Sequence, residues 1–239
     1  MKLDVYFTPL GLTAGDLAGR GVIVIDVLRA TSTIVAALAS GARGVVPAAS
    51  SDEAVRMTAN LERDGFVLAG ERKYLPIPGF TLGNSPREMT PEQVSGKTVY
   101  LSTTNGTPAL VAAQGADPVL VGAAVNFGAI AERAASLLKE RGELVIICAG
   151  REKQIALEDA YTAGRFVRAA RKGLRKVVLN DSADVALGLA QRYRNWLDAY
   201  TTSEAGRALQ ALGWEQDVQF CATVDRYDLV PSYSDRMIT

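Results

Sequence analysis

Strand-length apolar runs alternate with helix-length segments along most of this chain, and that order constrains the fold more than any other feature. Residues 21–26 (GVIVID), 44–47, 66–70 (FVLAG), 98–101, 119–122, 144–148 and 176–179 read as strands. Helices are predicted over 33–40, 51–64, from Pro108, about 126–141, 156–171 and 182–194, with one more near 203–212. Short runs that are apolar at every position are what strands look like when helices cover both faces of their sheet. Strand–helix–strand connections imply right-handed crossovers. The expected fold is α/β: a three-layer α/β/α arrangement with a largely parallel or mixed sheet, in a single domain with a small C-terminal lobe from about residue 195. The alternation is interrupted at residues 72–91 (RKYLPIPGFTLGNSPREMTP), where four prolines and two glycines predict a long loop. A loop of this length in a compact domain is usually functional, and its apolar residues disfavour disorder.

The chain contains no histidine. Ser-His-Asp and Cys-His mechanisms, His-nucleophile phosphatases and His-ligated zinc sites are thereby excluded. Acid–base work falls to Asp, Glu, Lys, Tyr, Cys or a metal-bound water. Lys and Arg together number 26, as do Asp and Glu. This balance argues against a bulk nucleic-acid binder, which carries a basic excess or stripe. Cys148 and Cys221 form no CxxC pair and fit a reducing cytoplasm. The first residues, MKLDVYF, do not read as a signal peptide, and no apolar run reaches the ~18 residues of a membrane span. The expected setting is cytoplasmic, with a small-molecule partner and neither nucleic acid nor membrane; a homodimer is compatible with the size.

Common phosphate and hydrolase motifs are absent. There is no GxxxxGK[ST], no GxGxxG and no GxSxG elbow. The strand ending Asp26-Val27-Leu28 lacks the second acid of a DxD phosphatase. The residue six positions after each cysteine is Gln154 or Tyr227, where a cysteine phosphatase needs Arg.

Polar residues collect at strand ends, where open α/β sheets bind their ligands. Asp26 closes one strand, and Arg29, Thr31, Ser32 and Thr33 follow where a helix begins. A helix N-terminus with an Arg beside it suits an anion. Thr103, Thr104, Asn105 and Gly106 form a second hydroxyl-rich strand–helix junction, with Thr107 as predicted N-cap and Pro108 at the first helical position. Arg151 follows a third strand; its neighbours Glu152 and Lys153 read as solvated charges. Glu158 and Asp159 fall in a first helical turn, and Glu71 ends a further strand. Acids at several strand ends offer the oxygen ligands that Mg²⁺ takes while it keeps waters and binds phosphate.

The runs IVIDVLRATSTIVAAL (23–38), AGERKYLPIPGFTLGNSPRE (69–88), YLSTTNGTPAL (100–110), ICAGREKQIALEDAYTAG (147–164) and DVQFCATVDRYDLVP (217–231) occur in this order along nearly the whole chain. Together they resemble the 2-phosphosulfolactate phosphatase family of coenzyme M biosynthesis. The resemblance implies a Mg²⁺-dependent hydrolase that converts 2-phospho-3-sulfolactate to 3-sulfolactate and phosphate. One departure is Thr81, where an Asp is expected after the Gly-Phe of the second run. The expected site places Asp26, Glu71, Glu158 and Asp159 around Mg²⁺, with Asp26, Asp159 and Arg29 catalytic. Arg29, Thr31, Ser32 and Thr33 would cradle one anionic end of the substrate. Thr103, Thr104, Asn105, Gly106 and Arg151 would hold another, with Asn84 and Ser85 contributed by a loop that closes over the site. The nucleophile is either a metal-activated water or Asp26 itself. The alternatives are a phosphatase for another phosphorylated hydroxy acid, or a non-catalytic binder of small anions.

Overall fold

The computed structural model describes the backbone of residues 1–239 and every side chain except that of residue 14. Among the described residues eleven strands form one sheet. In chain order they are β1 (Lys2–Tyr6), β2 (Gly21–Ile25), β3 (Gly44–Pro47), β4 (Phe66–Arg72), β5 (Leu75–Pro76), β6 (Thr98–Ser102), β7 (Val119–Gly122), β8 (Glu143–Cys148), β9 (Val178–Leu179), β10 (Ser232–Ser234) and β11 (Met237–Ile238). Their order across the sheet is β5-β4-β6-β3-β11-β10-β7-β2-β8-β1-β9.

The sheet is mixed, within the expectation. β7, β2, β8, β1 and β9 pair in parallel, as do β3, β6 and β4. The C-terminal hairpin β10–β11 lies between these blocks, antiparallel to β7 on one side and to β3 on the other. Three successive antiparallel pairings reverse the strand direction from one block to the other. The less periodic C-terminal segment therefore completes the middle of the sheet.

Both faces of the sheet are buried, which is why its inner strands read as unbroken apolar runs. Leu3, Val5, Ile23, Ile25, Leu144 and Ile146 point to one face and meet Ile130, Leu137, Tyr161 and Phe166. Val22, Val24, Val121, Val145 and Ile147 point to the other and meet Ile34 and Leu110. The covering helices include Ala30–Ala39, Gly106–Ala112, Phe127–Arg141 and Leu157–Ala170. Among the described residues no helix is long and apolar enough to cross a membrane.

Local expectations change: the helix expected from Pro108 with Thr107 as N-cap starts at Gly106, with Asn105 at the cap position. The helix predicted over 51–64 ends at Thr58, whose hydroxyl bonds back to the carbonyls of Ala54 and Val55. The loop 72–91 begins as a hairpin: β4 pairs antiparallel with β5 across Lys73 and Tyr74, both with positive φ (52° and 69°). The rest of the loop is tied down along its length. The Gly70 N–H bonds to the carbonyls of Leu82 and Gly83, the Thr33 hydroxyl donates to the Asn84 carbonyl, and the Ser40 hydroxyl donates to the Met89 carbonyl. Ile77, Leu82 and Met89 are buried. Through Lys73, Tyr74 and Asn84 the segment forms one wall of a cleft.

Candidate active site

The segments after β2, β6 and β8 and the β4–β5 turn converge on a cleft of ≈ 310 Å³. Asp26, Leu28, Arg29, Glu71, Lys73, Tyr74, Asn84, Thr104, Asn105, Arg151 and Glu152 line it. This volume is at the lower end of small-ligand clefts. A larger hollow of ≈ 590 Å³ lies between Gln114–Val119 and Ser232–Arg236, and none of the residues selected from sequence reaches it.

Asp26 lies against the backbone of Gly106, where a Cβ would stand 2.6 Å from Asp26 Oδ2. Burial pushes the Asp26 carboxyl up to about 7, and the charges of Glu71 and Glu158 add to the effect; a hydrogen bond from the Ala30 N–H works the other way. Glu71 is fixed by two main-chain donors, the Thr104 N–H on Oε1 (2.7 Å) and the Tyr74 N–H on Oε2 (2.8 Å). It therefore joins the β4–β5 turn to the loop after β6.

Three cations face these acids: Arg29, Lys73 and Arg151. Arg29 is almost wholly buried, and its Nη1 donates to Asp217 Oδ2 at 2.6 Å while Nη2 donates to the Tyr74 carbonyl at 3.0 Å. Arg151 pairs with Glu204, and its guanidinium sits 5.8 Å from the centre of the Tyr74 ring. Burial pushes the Tyr74 hydroxyl up to about 12. Asn84 is buried in the wall, and its Oδ1 has no hydrogen-bond partner.

The model of a family described as 2-phosphosulpholactate phosphatase matches residues 6–236. The chain belongs to the 2-phosphosulfolactate phosphatase family. A protein of Caldanaerobacter subterraneus named a probable 2-phosphosulfolactate phosphatase is 39% identical over all of this chain and 98% of its own length. Proteins with the same name from Symbiobacterium thermophilum and Clostridium beijerinckii are 39% identical (94% of this chain, 96% of the relative) and 33% identical (100% and 99%).

In this member of the 2-phosphosulfolactate phosphatase family, the structure redistributes the residues selected from sequence. Asp26, Arg29, Glu71, Asn84, Thr104, Asn105 and Arg151 share the cleft. The hydroxyls of Thr31, Ser32 and Thr33 do not reach it. They donate to the carbonyls of Asp26 and Val27 in the turn from β2 into its helix and to the carbonyl of Asn84 in the facing wall. The expected anion cradle is thus a set of internal braces. Thr103 is likewise committed: its Oγ1 accepts the Thr107 N–H, and Thr107 Oγ1 accepts the Thr103 N–H in return. Gly106 provides room for Asp26. Ser85 turns away from the cleft lining and donates to Asp217 Oδ1 at 2.8 Å.

The four carboxylates expected around Mg²⁺ do not all line the same hollow. Among the described residues no group of three His, Cys, Asp or Glu side chains is arranged to hold a metal ion. Both oxygens of Asp159 accept main-chain N–H groups, from Val27 (2.9 Å) and Gly150 (3.3 Å), so it staples the loops after β2 and β8. Burial holds the Asp159 carboxyl well above the ordinary range, with the charges of Asp26 and Glu158 adding to it. Glu158 lines an adjacent cavity of ≈ 260 Å³ with Arg151 and Glu204. Asp26 and Glu71 remain as a pair in the cleft. A pair fits Mg²⁺, which is commonly held by one or two carboxylates together with waters and substrate phosphate.

Sequence reasoning missed Lys73, Tyr74, Trp214 and Asp217. Asp217 opens the fifth run of the resemblance, but no local signal ties it to Arg29, 188 positions away. Thr81, the departure from the second run, is exposed, and its N–H bonds to the Leu68 carbonyl outside the cleft.

Proposed function

We propose that this chain hydrolyses 2-phospho-3-sulfolactate to 3-sulfolactate and inorganic phosphate. One observation carries the reading: a single small cleft sets the carboxylates of Asp26 and Glu71 against the cations Arg29, Lys73 and Arg151. A substrate with a phosphoryl group, a sulfonate and a carboxylate calls for several cationic donors. The carboxylate pair provides for the attacking water and for a metal ion.

In the reaction, water adds to phosphorus and the bond from phosphorus to the substrate oxygen breaks. That oxygen leaves as an alkoxide and is protonated. Arg29 binds phosphoryl oxygens through the N–H groups that no protein acceptor uses. Asp26 accepts a hydrogen bond from the attacking water and aims it at phosphorus. Arg151 and Lys73 hold the sulfonate and carboxylate, and the Asn84 amide supplies a further polar contact from the wall. Asp159 lies outside the cleft lining, and Lys153 lines a different hollow. Lys73 is the ammonium group in the cleft that can neutralise the leaving alkoxide.

Asp26 and Glu71 would hold Mg²⁺, with waters and phosphoryl oxygens completing its shell. When bound, the ion neutralises phosphoryl charge and acidifies water. Phosphate release from a panel of phosphorylated 2-hydroxy acids, with and without a sulfonate, tests the substrate. The sulfonated ester is expected to give the highest kcat/KM, and Arg151→Ala is expected to remove that preference. Equal rates across the panel would overturn the substrate, and no release from any ester would overturn the activity.

A further inference from the structure

We infer that Asp217 is a positioning residue that aims the Arg29 guanidinium into the cleft; the role is defined on the phosphatase reading above. Asp217 is wholly buried on the helix Glu215–Cys221. Its Oδ2 accepts Arg29 Nη1 at 2.6 Å, its Oδ1 accepts the Ser85 hydroxyl at 2.8 Å, and Arg87 Nη1 stands 3.9 Å from Oδ1. Trp214, at the start of the same helix, lies with its ring centre 5.2 Å from the Arg29 guanidinium carbon. The Tyr74 carbonyl takes Nη2 from the side of the β4–β5 turn. The loop 72–91 and the helix Glu215–Cys221, far apart in the chain, thus fix one guanidinium.

A buried Arg is retained only when paired, so a purely structural ion pair is the competing explanation. Two observations favour positioning. Arg29 lines the cleft. Its hydrogen bonds to protein use two of the five guanidinium N–H donors, leaving three for a ligand. The carboxylate also leaves the guanidinium plane little freedom, because its other oxygen is anchored by Ser85. A phosphoryl group entering the cleft therefore meets donors that are already oriented, and that is where such groups contribute most to rate.

The test uses the full chain as wild type, Asp217→Asn, Arg29→Ala, the double variant, Ser85→Ala, and Ser85→Ala combined with Arg29→Ala. The readouts are kcat and KM for phosphate release from 2-phospho-3-sulfolactate, the Kd for inorganic phosphate by calorimetry, and Tm. Asp217→Asn is expected to lower kcat by about 100-fold and to weaken phosphate binding. In the Arg29→Ala background it is expected to cost no more than about twofold further. Ser85→Ala, which keeps both charges, is expected to cost about fivefold in kcat and nothing further once Arg29 is gone. A purely structural pair would lower Tm while the losses multiplied. Multiplying losses, or wild-type kcat in folded Asp217→Asn, would overturn the inference. If Asp217→Asn does not fold, the Ser85→Ala pair decides: a loss seen only with Arg29 present supports positioning, and an equal loss in both backgrounds overturns it. If wild type releases no phosphate, the phosphatase reading fails. The phosphate affinities of the same variants then decide the positioning role, non-additive losses supporting it and additive losses overturning it.

Discussion

The backbone of Gly106 and the carboxylate of Asp26 are packed so closely that a methyl group cannot be placed between them. A Cβ at residue 106 would lie 2.6 Å from Asp26 Oδ2 and 2.5 Å from the Ala30 Cβ. The start of the helix Gly106–Ala112 is therefore fitted to the end of β2. Gly106→Ala is expected to cost about 1–3 kcal/mol of stability, because the obstructing atoms belong to packed backbone-proximal groups. It also displaces Asp26, so kcat falls. Thermal melting with phosphate-release kinetics checks both; wild-type values in both would contradict the account.

The three hydroxyls after Arg29 serve the fold. Ser32→Ala and Thr33→Val each leave a buried carbonyl without its donor, and Thr31→Val leaves the buried Asp26 N–H without its acceptor. Each is expected to cost about 1–3 kcal/mol with kcat/KM essentially unchanged. Arg151→Ala is expected to behave in the opposite way, with a small stability change and a large rise in KM. Denaturant melts and steady-state kinetics on the four variants separate the two classes.

The state of Asp26 sets a pH dependence of stability in metal-free protein. Its carboxyl titrates near 7 in the fold, pushed up by burial and then by Glu71 and Glu158, and near 4 in the unfolded chain. Between these values the folded state holds a proton that the unfolded state has lost. Asp26 therefore favours folding most below about pH 4. That contribution is lost as pH rises toward 7, and above 7 it changes no further. Asp26→Asn is expected to raise Tm more at pH 8 than at pH 5 in the presence of chelator. An equal change at both pH values would contradict the shift.

Magnesium binding is expected to depend on the carboxylate pair. Chelation by EDTA should abolish phosphate release and added Mg²⁺ restore it. Glu71→Gln should raise the Mg²⁺ concentration needed for half-maximal rate, whereas Glu158→Gln should change it far less, because Glu158 faces the adjacent cavity. Mg²⁺ titration of the rate measures each value; unchanged rates in EDTA would contradict the metal's role.

The sequence exposed the site where fold and chemistry coincide. β2 and β8 read as apolar runs because both their faces are buried, so Asp26 and the loop at Arg151 stood out where the runs ended. β1 escaped notice because Asp4 interrupts it; Asp4 is buried and held by Arg20 (2.8 Å) and Lys2 (2.9 Å), partners that a pattern of residues does not reveal. β10 and β11 are too short to carry a period. The hydroxyls of Thr31, Ser32 and Thr33 suggested a ligand because side chains that cap a backbone and side chains that bind an anion are the same residue types. The Arg29–Asp217 pair was illegible because it forms only when the chain's two ends meet.

On the proposed function, Asp26 acts on the phosphate ester held in this cleft. Phosphate release from 2-phospho-3-sulfolactate by wild type and by Asp26→Asn, at saturating Mg²⁺ and neutral pH, tests it most directly. Wild type is expected to turn over and Asp26→Asn to lose about 100-fold or more in kcat, with the variant folded and Arg29 in place. An Asp26→Asn variant that turns over at close to the wild-type rate would contradict it.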